Sequence, residues 1–247
     1  MKLAIVTDPH ANRESLSAVL AHADAAGARQ FAFVGDLVGY GADPAWVLDC
    51  VRERVRDGAI VVLGNHDEAV AQGSHPGMHP DARYVVDWTR QRLSAAQIDF
   101  LASLPLQVER DGMLFVHANA WEPAGWGYIT GRAEAVRSMM ATRCAYTFCG
   151  HVHDPQLYHL ARTGKAGEFT PTPEVEIPVP AHRQWLVIPG SAGQPRDGNP
   201  AAAYAMFDTS AQTLCFFRVP YDHDSAGAKI TEAALPQRLA DRLAEGQ

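Results

Sequence analysis

Five short segments of this 247-residue chain carry side chains suited to holding metal ions. Asp8 and His10 stand two apart. Asp36 lies in Gly35-Asp36-Leu37-Val38-Gly39-Tyr40-Gly41. Gly64-Asn65-His66-Asp67 brings an amide, an imidazole and a carboxylate together. His117 stands alone, and Gly150-His151-Val152-His153 offers two imidazoles two apart. Oxygen and imidazole donors in such a mixture suit Mn, Fe, Zn, Co or Ni. Asp36 has two oxygens and is able to bridge two cations about 3.5–4 Å apart, an arrangement that stabilises both attacking and departing oxygens of a phosphoryl group. In extended backbone, residues i and i+2 project to one side, so Asp8 and His10 can grip one ion, and His151 and His153 offer two imidazoles from one segment. His66 diverges from its neighbour Asn65. It is better placed as an acid or transition-state stabiliser beside the metals, with Asp67 fixing its tautomer.

The elements around these residues are legible from hydrophobic runs. Lys2–Thr7, Gln30–Val34 and Ala59–Leu63 read as buried strands, separated by helices over Asn12–Ala26 and Pro44–Arg56, the second with Asp43 as N-cap. That alternation argues for parallel strands with crossover helices. Two more helices are predicted over Asp81–Arg92 and Ser94–Ser103. A hairpin follows, Leu106–Glu109 with Met113–Val116, then a helix over Arg132–Ala141 and a strand over Tyr146–Cys149. Later strands are expected at Gln156–Leu160, Glu174–Ile177, Trp185–Ile188, Ala203–Phe207 and Thr213–Arg218. The stretch from Thr163 to Pro180 reads as an exposed loop around a short edge strand. A helical tail spans about 225–247, broken at Pro236. An α/β first half and a strand-rich second half fit two packed mixed sheets with helices outside, in one domain over 1–247.

Each segment alone has a plain structural reading. His117 is then a hydrogen-bonded core residue, Asp67 a helix N-cap and the Gly35–Gly41 stretch a turn. The ordered set is different, because every segment sits just after an expected strand, where open α/β sheets bind ligands. In order and residue type, the five segments resemble the pattern of the calcineurin-like metallophosphoesterase superfamily: DxH, GDxxxxG, GNH[DE], a lone H and GHxH. Pro189-Gly190-Ser191-Ala192-Gly193-Gln194-Pro195-Arg196-Asp197-Gly198 is similar to the small bacterial and archaeal branch of phosphodiesterase-like members. His10-Ala11-Asn12 departs from the His-Gly-Asn common there, without loss of a ligand. The resemblance implies a four-layer α/β/β/α sandwich. One metal would take Asp8, His10, Asp36 and His153, the other Asp36, Asn65, His117 and His151. A metal-bridging hydroxide would attack phosphorus, and His66 would assist the leaving oxygen.

Outside the ligand set, Asn12 opens a helix beside the site and Arg196 lies in a glycine-bounded loop; both are expected substrate contacts. Trp121 and Trp126 follow His117 and read as packing residues, with stacking on a base or aryl group the alternative. His75 and His79 are placed near the mouth. A net charge of -7 and no Lys/Arg cluster disfavour nucleic acid as a partner and favour a small phosphoester substrate. The four cysteines, lacking any CxxC pair, read as buried free thiols. With no signal-like or membrane-length apolar run, this points to a cytoplasmic protein. The leading expectation is a dinuclear-metal phosphodiesterase or phosphatase. The alternatives are an inactive metal-binding regulatory scaffold and a nuclease or dinucleotide polyphosphate hydrolase.

Overall fold

The computed structural model describes residues 1–75 and 77–247. Three parallel strands, β1 (Lys2–Val6), β2 (Gln30–Val34) and β3 (Ile60–Val62), alternate with helices α1 (Arg13–Ala25) and α2 (Pro44–Arg56). Alternation within each strand decides what it packs on. Leu3 and Ile5 of β1 point into the space between two sheets, while Ala4 and Val6 face Leu16, Val19 and Val47 of the helices.

The first sheet has the order β3-β2-β1-β11-β12-β9. Its antiparallel half consists of β11 (Ala202–Asp208), β12 (Thr213–Val219) and the edge strand β9 (Ile177–Pro178). The second sheet has the order β4-β5-β6-β10-β7-β8. Its members are β4 (Gln107–Arg110), β5 (Met113–Val116), β6 (Tyr146–Phe148), β7 (Gln156–Ala161), β8 (Ala166–Phe169) and β10 (Arg183–Ile188). Phe115, Phe148, Trp185 and Val187 meet Phe207, Leu214 and Phe216 between the sheets. The outer face of the second sheet, with Leu114, Leu186 and Ile188, is covered by Ala135 and Met139 of α6 (Arg132–Met140). The expected four-layer sandwich is therefore present, as two mixed six-stranded sheets with helices on both outer faces.

The differences from the sequence reading are local. A helix, α3 (Asn65–Gln72), begins at the third motif and was not expected, because eight residues carry too little apolar periodicity to stand out. Strand β8 lies inside the expected 163–180 loop. The strand expected at Glu174–Ile177 is reduced to β9, since Pro173 and Pro178 leave few amides for a ladder. Asp43 caps α2 by position but its side chain makes no capping bond.

The C-terminal tail forms a helical hairpin, α7 (His223–Glu232) and α8 (Gln237–Glu245). It packs through Ile230, Leu235, Leu239 and Leu243 on Val85 and Trp88 of α4 (Pro80–Arg90). Trp88 Nε1 donates to Ala233 O at 3.0 Å. Lys229 of α7 reaches the Glu14 and Asp43 carboxylates at 2.5 and 2.7 Å, tying the hairpin to α1 and α2. Lys229→Met is expected to cost about 1 kcal/mol, since partly exposed ion pairs contribute little. A calorimetric unfolding midpoint lower by about 2–4 °C would show it for a chain of this size. Helix α5 (Ala95–Ala102) begins at the predicted Ser94 cap, with Gln97 closing a reciprocal box. Among the described residues no helix is long and apolar enough to cross a membrane. All four cysteines are free thiols; Cys144 and Cys149 are buried, Cys50 and Cys215 half-buried.

Candidate metal centre and its surroundings

All five motifs converge beyond the C-terminal ends of β1, β2, β3, β5 and β6. The backbone there is not extended. Asp8, His10, Asp36, His151 and His153 have φ of 52, 45, 53, 68 and 71°, in the left-handed region. The i, i+2 pairs thus reach one centre through left-handed turns and not through strand alternation. Such conformations cost free energy for non-glycine residues and persist only where the surroundings over-determine them. Here they do. Asp8 N donates to Gly35 O at 3.1 Å, His10 N to Asp36 O at 3.0 Å and Gly193 N to Asp8 O at 2.9 Å. Asp8 in turn accepts from His151 N through both oxygens at 3.1 Å.

The side chains form three overlapping groups of metal-ligating type: Asp8, His10 and His153; His10, Asp36 and His66; Asp36, His117 and His151. Hydrogen bonds on the far side of each imidazole decide which nitrogen faces inward. Nδ1 of His10, His117 and His153 lies 3.2, 2.8 and 2.6 Å from the carbonyls of Val38, Val34 and Gln194. A carbonyl only accepts, so each Nδ1 carries the proton. His151 is held the other way, with Nε2 donating to Trp126 O at 3.0 Å.

These tautomers test whether metal ions fit. His10 Nε2 and His153 Nε2 face each other at 3.2 Å, with Asp8 Oδ1 3.3 Å from the latter. With each Nδ1 turned to a carbonyl, the two rings turn Nε2 toward one another, an arrangement that suits a cation between them. His117 Nε2 likewise faces Asn65 Oδ1 at 3.2 Å and Asp36 Oδ2 at 3.3 Å. The donor set fits transition-metal ions.

The electrostatics agree. Burial works against the charge on Asp8 and Asp36. The imidazoles of His153 and His117 outweigh it and hold Asp8 at about 2 and Asp36 well below the usual carboxylate range. Burial disfavours charge on His117 too, but Asp36 pulls it up to about 10, so in the metal-free chain this ring is charged and a cation would have to take the place of its Nε2 proton. Burial pushes His10 and His66 down and His151 to about 4, favouring the neutral rings that bind metals.

His66 lies outside these hydrogen bonds. Its ring packs against Tyr40 at 4.4 Å and His10 at 5.1 Å, with Nδ1 against Gly39. Asp67 does not orient it. The Asp67 oxygens accept from Val38 N and Gly64 N, both at 3.1 Å, so Asp67 fixes the two glycine-rich loops against one another. Adjacent residues on the first turn of α3 point in different directions, which is why the expected pairing with His66 fails. Burial and the charge of Asp36 raise the Asp67 carboxyl to about 7.

Of the two expected substrate contacts, Asn12 is buried and occupied. Its Oδ1 caps α1 by accepting from Ser15 N, and its Nδ2 donates to Gly193 O and Tyr221 Oη. That is a scaffold role, the plain reading of an N-cap position. Arg196 sits 5.8 Å from the Tyr40 ring, donates to Gln194 Oε1 at 3.0 Å and leaves its Nε buried without a partner among the described residues. Trp121 packs under Arg137 at 4.7 Å. Trp126 donates from Nε1 to Glu68 at 3.0 Å, and Tyr128 stacks on His151 at 4.0 Å. His75 and His79 lie at the mouth, in two cavities that both include His66.

Sequence reasoning missed how the Gly190–Gln194 loop works. Ser191 Oγ donates to Asp8 O at 2.9 Å and accepts from Gln194 N at 2.8 Å, which aims Gln194 O at His153. The Gly-Ser-Ala-Gly composition was the available signal, since small residues allow this clasp against Asp8-Pro9.

A sandwich of this kind, with carboxylates, imidazoles and an amide gathered at its strand ends, defines a metallophosphoesterase, an enzyme that hydrolyses phosphoester bonds. The chain belongs to the calcineurin-like phosphoesterase superfamily, whose domain model matches residues 1–212. It is 33% identical to uncharacterized protein MJ0912 of Methanocaldococcus jannaschii, over 99% of this chain and 98% of that protein. It is similar to the crystal structure of a metallophosphoesterase from Sphaerobacter thermophilus, with 34% identity, a TM-score of 0.88 and coverage of 100% and 99% of the two chains. Hypothetical protein PH1004 from Pyrococcus horikoshii OT3 shares the fold at 17% identity and a TM-score of 0.78, over 100% and 98%.

Proposed function

We infer that the protein is a phosphodiesterase working with two transition-metal ions. The observation that carries this reading is the convergence of imidazole nitrogens and carboxylates on one buried centre. Asp8, His10, Asp36 and His153 would hold one ion, and Asp36, Asn65, His117 and His151 the other. Bound there, such ions supply Lewis acidity, which lowers the pKa of water and offsets charge on phosphoryl oxygens.

The chain's own residues do the rest. Arg196, with an unpartnered guanidinium nitrogen beside Tyr40, offers its planar fork to the phosphate. His66 supplies a proton to the departing oxygen. Its Nδ1 is against Gly39, which leaves Nε2 to face substrate. Burial favours the neutral ring, and an arriving phosphate anion counters that and favours the protonated one. A diester is favoured over a monoester because His66 and Tyr40 border two adjoining spaces, of about 220 and 430 Å³, one for each ester arm. Trp126, Tyr128 and Met78 line the larger and suit an apolar or aromatic arm. The low net charge of -7 favours a small phosphoester over a nucleic-acid polymer.

His66→Asn is expected to lower kcat for bis(4-nitrophenyl) phosphate about 10²- to 10⁴-fold, the usual contribution of a positioned proton donor. Metal content by elemental analysis should be unchanged. Equal turnover by the variant would remove His66 from the reaction, and a metal-loaded wild type inert on mono- and diesters would favour a regulatory scaffold instead.

A further inference from the structure

We propose that the C-terminal helical hairpin builds an anion subsite, making the preferred substrate a diester with a second phosphate on one arm. This rests on the phosphodiesterase reading and names its substrate class.

The family match ends at residue 212, so α7 and α8 lie outside the matched region. The hairpin nevertheless forms a wall of the space beside the candidate acid. The cavity of about 220 Å³ is lined by Tyr40 and His66 and by Arg238 and Arg242 of α8, with His79 just before α4 and Asp81 in its first turn. Positions 238 and 242 are one helical turn apart, which puts both guanidinium groups on one face of α8. Asp81 pairs with Arg238 at 2.7 Å, while Arg242 forms no salt bridge among the described residues. One carboxylate against two guanidinium groups leaves this cavity cationic, in a chain whose net charge is -7. Guanidinium forks match phosphate oxygens in geometry and remain charged at every relevant pH.

The hairpin is firmly placed. Trp88 and Tyr84 of α4 bond to the carbonyls of Ala233 and Ala234 at 3.0 and 3.2 Å, and Lys229 joins it to Glu14 and Asp43. The arginines are therefore presented by a fixed element. Such a subsite strengthens binding to the part of the substrate that does not react. The neighbouring cavity, with Trp126 and Tyr128, has no Arg or Lys in its lining among the described residues and takes the other arm.

The test uses a matched pair, the dinucleotide ApA and its 5′-phosphorylated form pApA, which differ by one phosphate. Wild-type, metal-loaded protein is expected to favour pApA about tenfold or more in kcat/KM, mainly through KM, as for one charge-assisted contact. Arg238→Gln with Arg242→Gln should bring the ratio close to one, and lysine at both positions should restore part of it. Asp81→Asn, which frees Arg238, should raise the ratio, a change that a merely structural role does not produce. Because a ratio is read in each variant, general loss of activity cancels. Calorimetric affinities of the His66→Asn protein for the two compounds repeat the comparison without turnover. Equal affinities and equal kcat/KM in the parent proteins overturn the subsite, as does a preference for pApA that survives the double variant. Turnover of bis(4-nitrophenyl) phosphate is scored separately: its absence, alongside unequal affinities, overturns the phosphodiesterase reading and leaves the subsite standing.

Discussion

Asp36→Asn is expected to lower kcat/KM for bis(4-nitrophenyl) phosphate by about 10³-fold or more, with loss of bound metal, because the donor proposed to be shared by two ion positions loses its charge. The structure explains why this variant should still fold. Asp36 Oδ1 accepts from His66 N at 2.9 Å, and an asparagine oxygen keeps that bond. The change falls on Oδ2, which lies 3.3 Å from His117 Nε2 and 3.7 Å from His10 Nε2. An amide there donates toward those nitrogens and brings no negative charge. The centre then has Asp8 as its single remaining carboxylate, too little to balance two cations. Elemental analysis and a steady-state assay on one preparation read both consequences. Full turnover with normal metal content in the Asp36→Asn protein would contradict a centre shared through this residue.

Gly64→Ala should be strongly damaging for a change of a single carbon. Gly64 has an ordinary φ of -102°, so the backbone conformation suits alanine. The space does not, because an added Cβ would overlap Asp36 N and Oδ1. Those atoms are backbone and a buried carboxylate, unable to swing aside as a surface side chain would. The loop must shift, at a cost of about 3 kcal/mol, the upper part of the range for overpacking. For a chain of this size that corresponds to a midpoint about 6–12 °C lower by calorimetry. Turnover should fall as well, since the same shift displaces Asp36 and the start of α3, which carries Asn65 and His66. Gly112→Ala is the comparison. Its φ is +73°, but nothing lies within 4 Å of an added Cβ, so only the backbone cost of about 1 kcal/mol remains. A Gly64→Ala protein as stable as Gly112→Ala would show that the two loops are not locked together as described.

Much of the fold was legible because it rests on period and punctuation. Strands β2 and β5 and helix α2 have their predicted limits, and β1, β10 and β11 lie within a residue or two of theirs. The strands are short apolar runs, and α2 is an apolar stripe opened by Pro44. Helix α3 was not legible, since its residues were already claimed by the third motif and carry no apolar stripe. Edge strands β8 and β9 were poorly defined because a strand paired on one side needs little sequence pattern.

For the site, the chain by itself determined the inventory: which residues are carboxylate, imidazole or amide, and that every group follows a strand. Spacing along the chain is a covalent fact, and strand ends are readable from hydrophobic runs. Tertiary structure alone decided direction. Left-handed turns at Asp8, His10, His151 and His153 aim side chains that an extended chain would send elsewhere. Carbonyls of Val34, Val38, Trp126 and Gln194, drawn from distant segments, choose which imidazole nitrogen faces inward. Asp67 and Asn12 look chemically available in sequence, and only the folded chain shows their hydrogen-bonding groups taken by backbone neighbours and by Tyr221. The same holds for Arg238 and Arg242, more than 170 residues from His66 and yet beside it. Hydrogen bonds and cavities depend on which segments meet, and that is settled by burial of both sheet faces, not by any local run of residues.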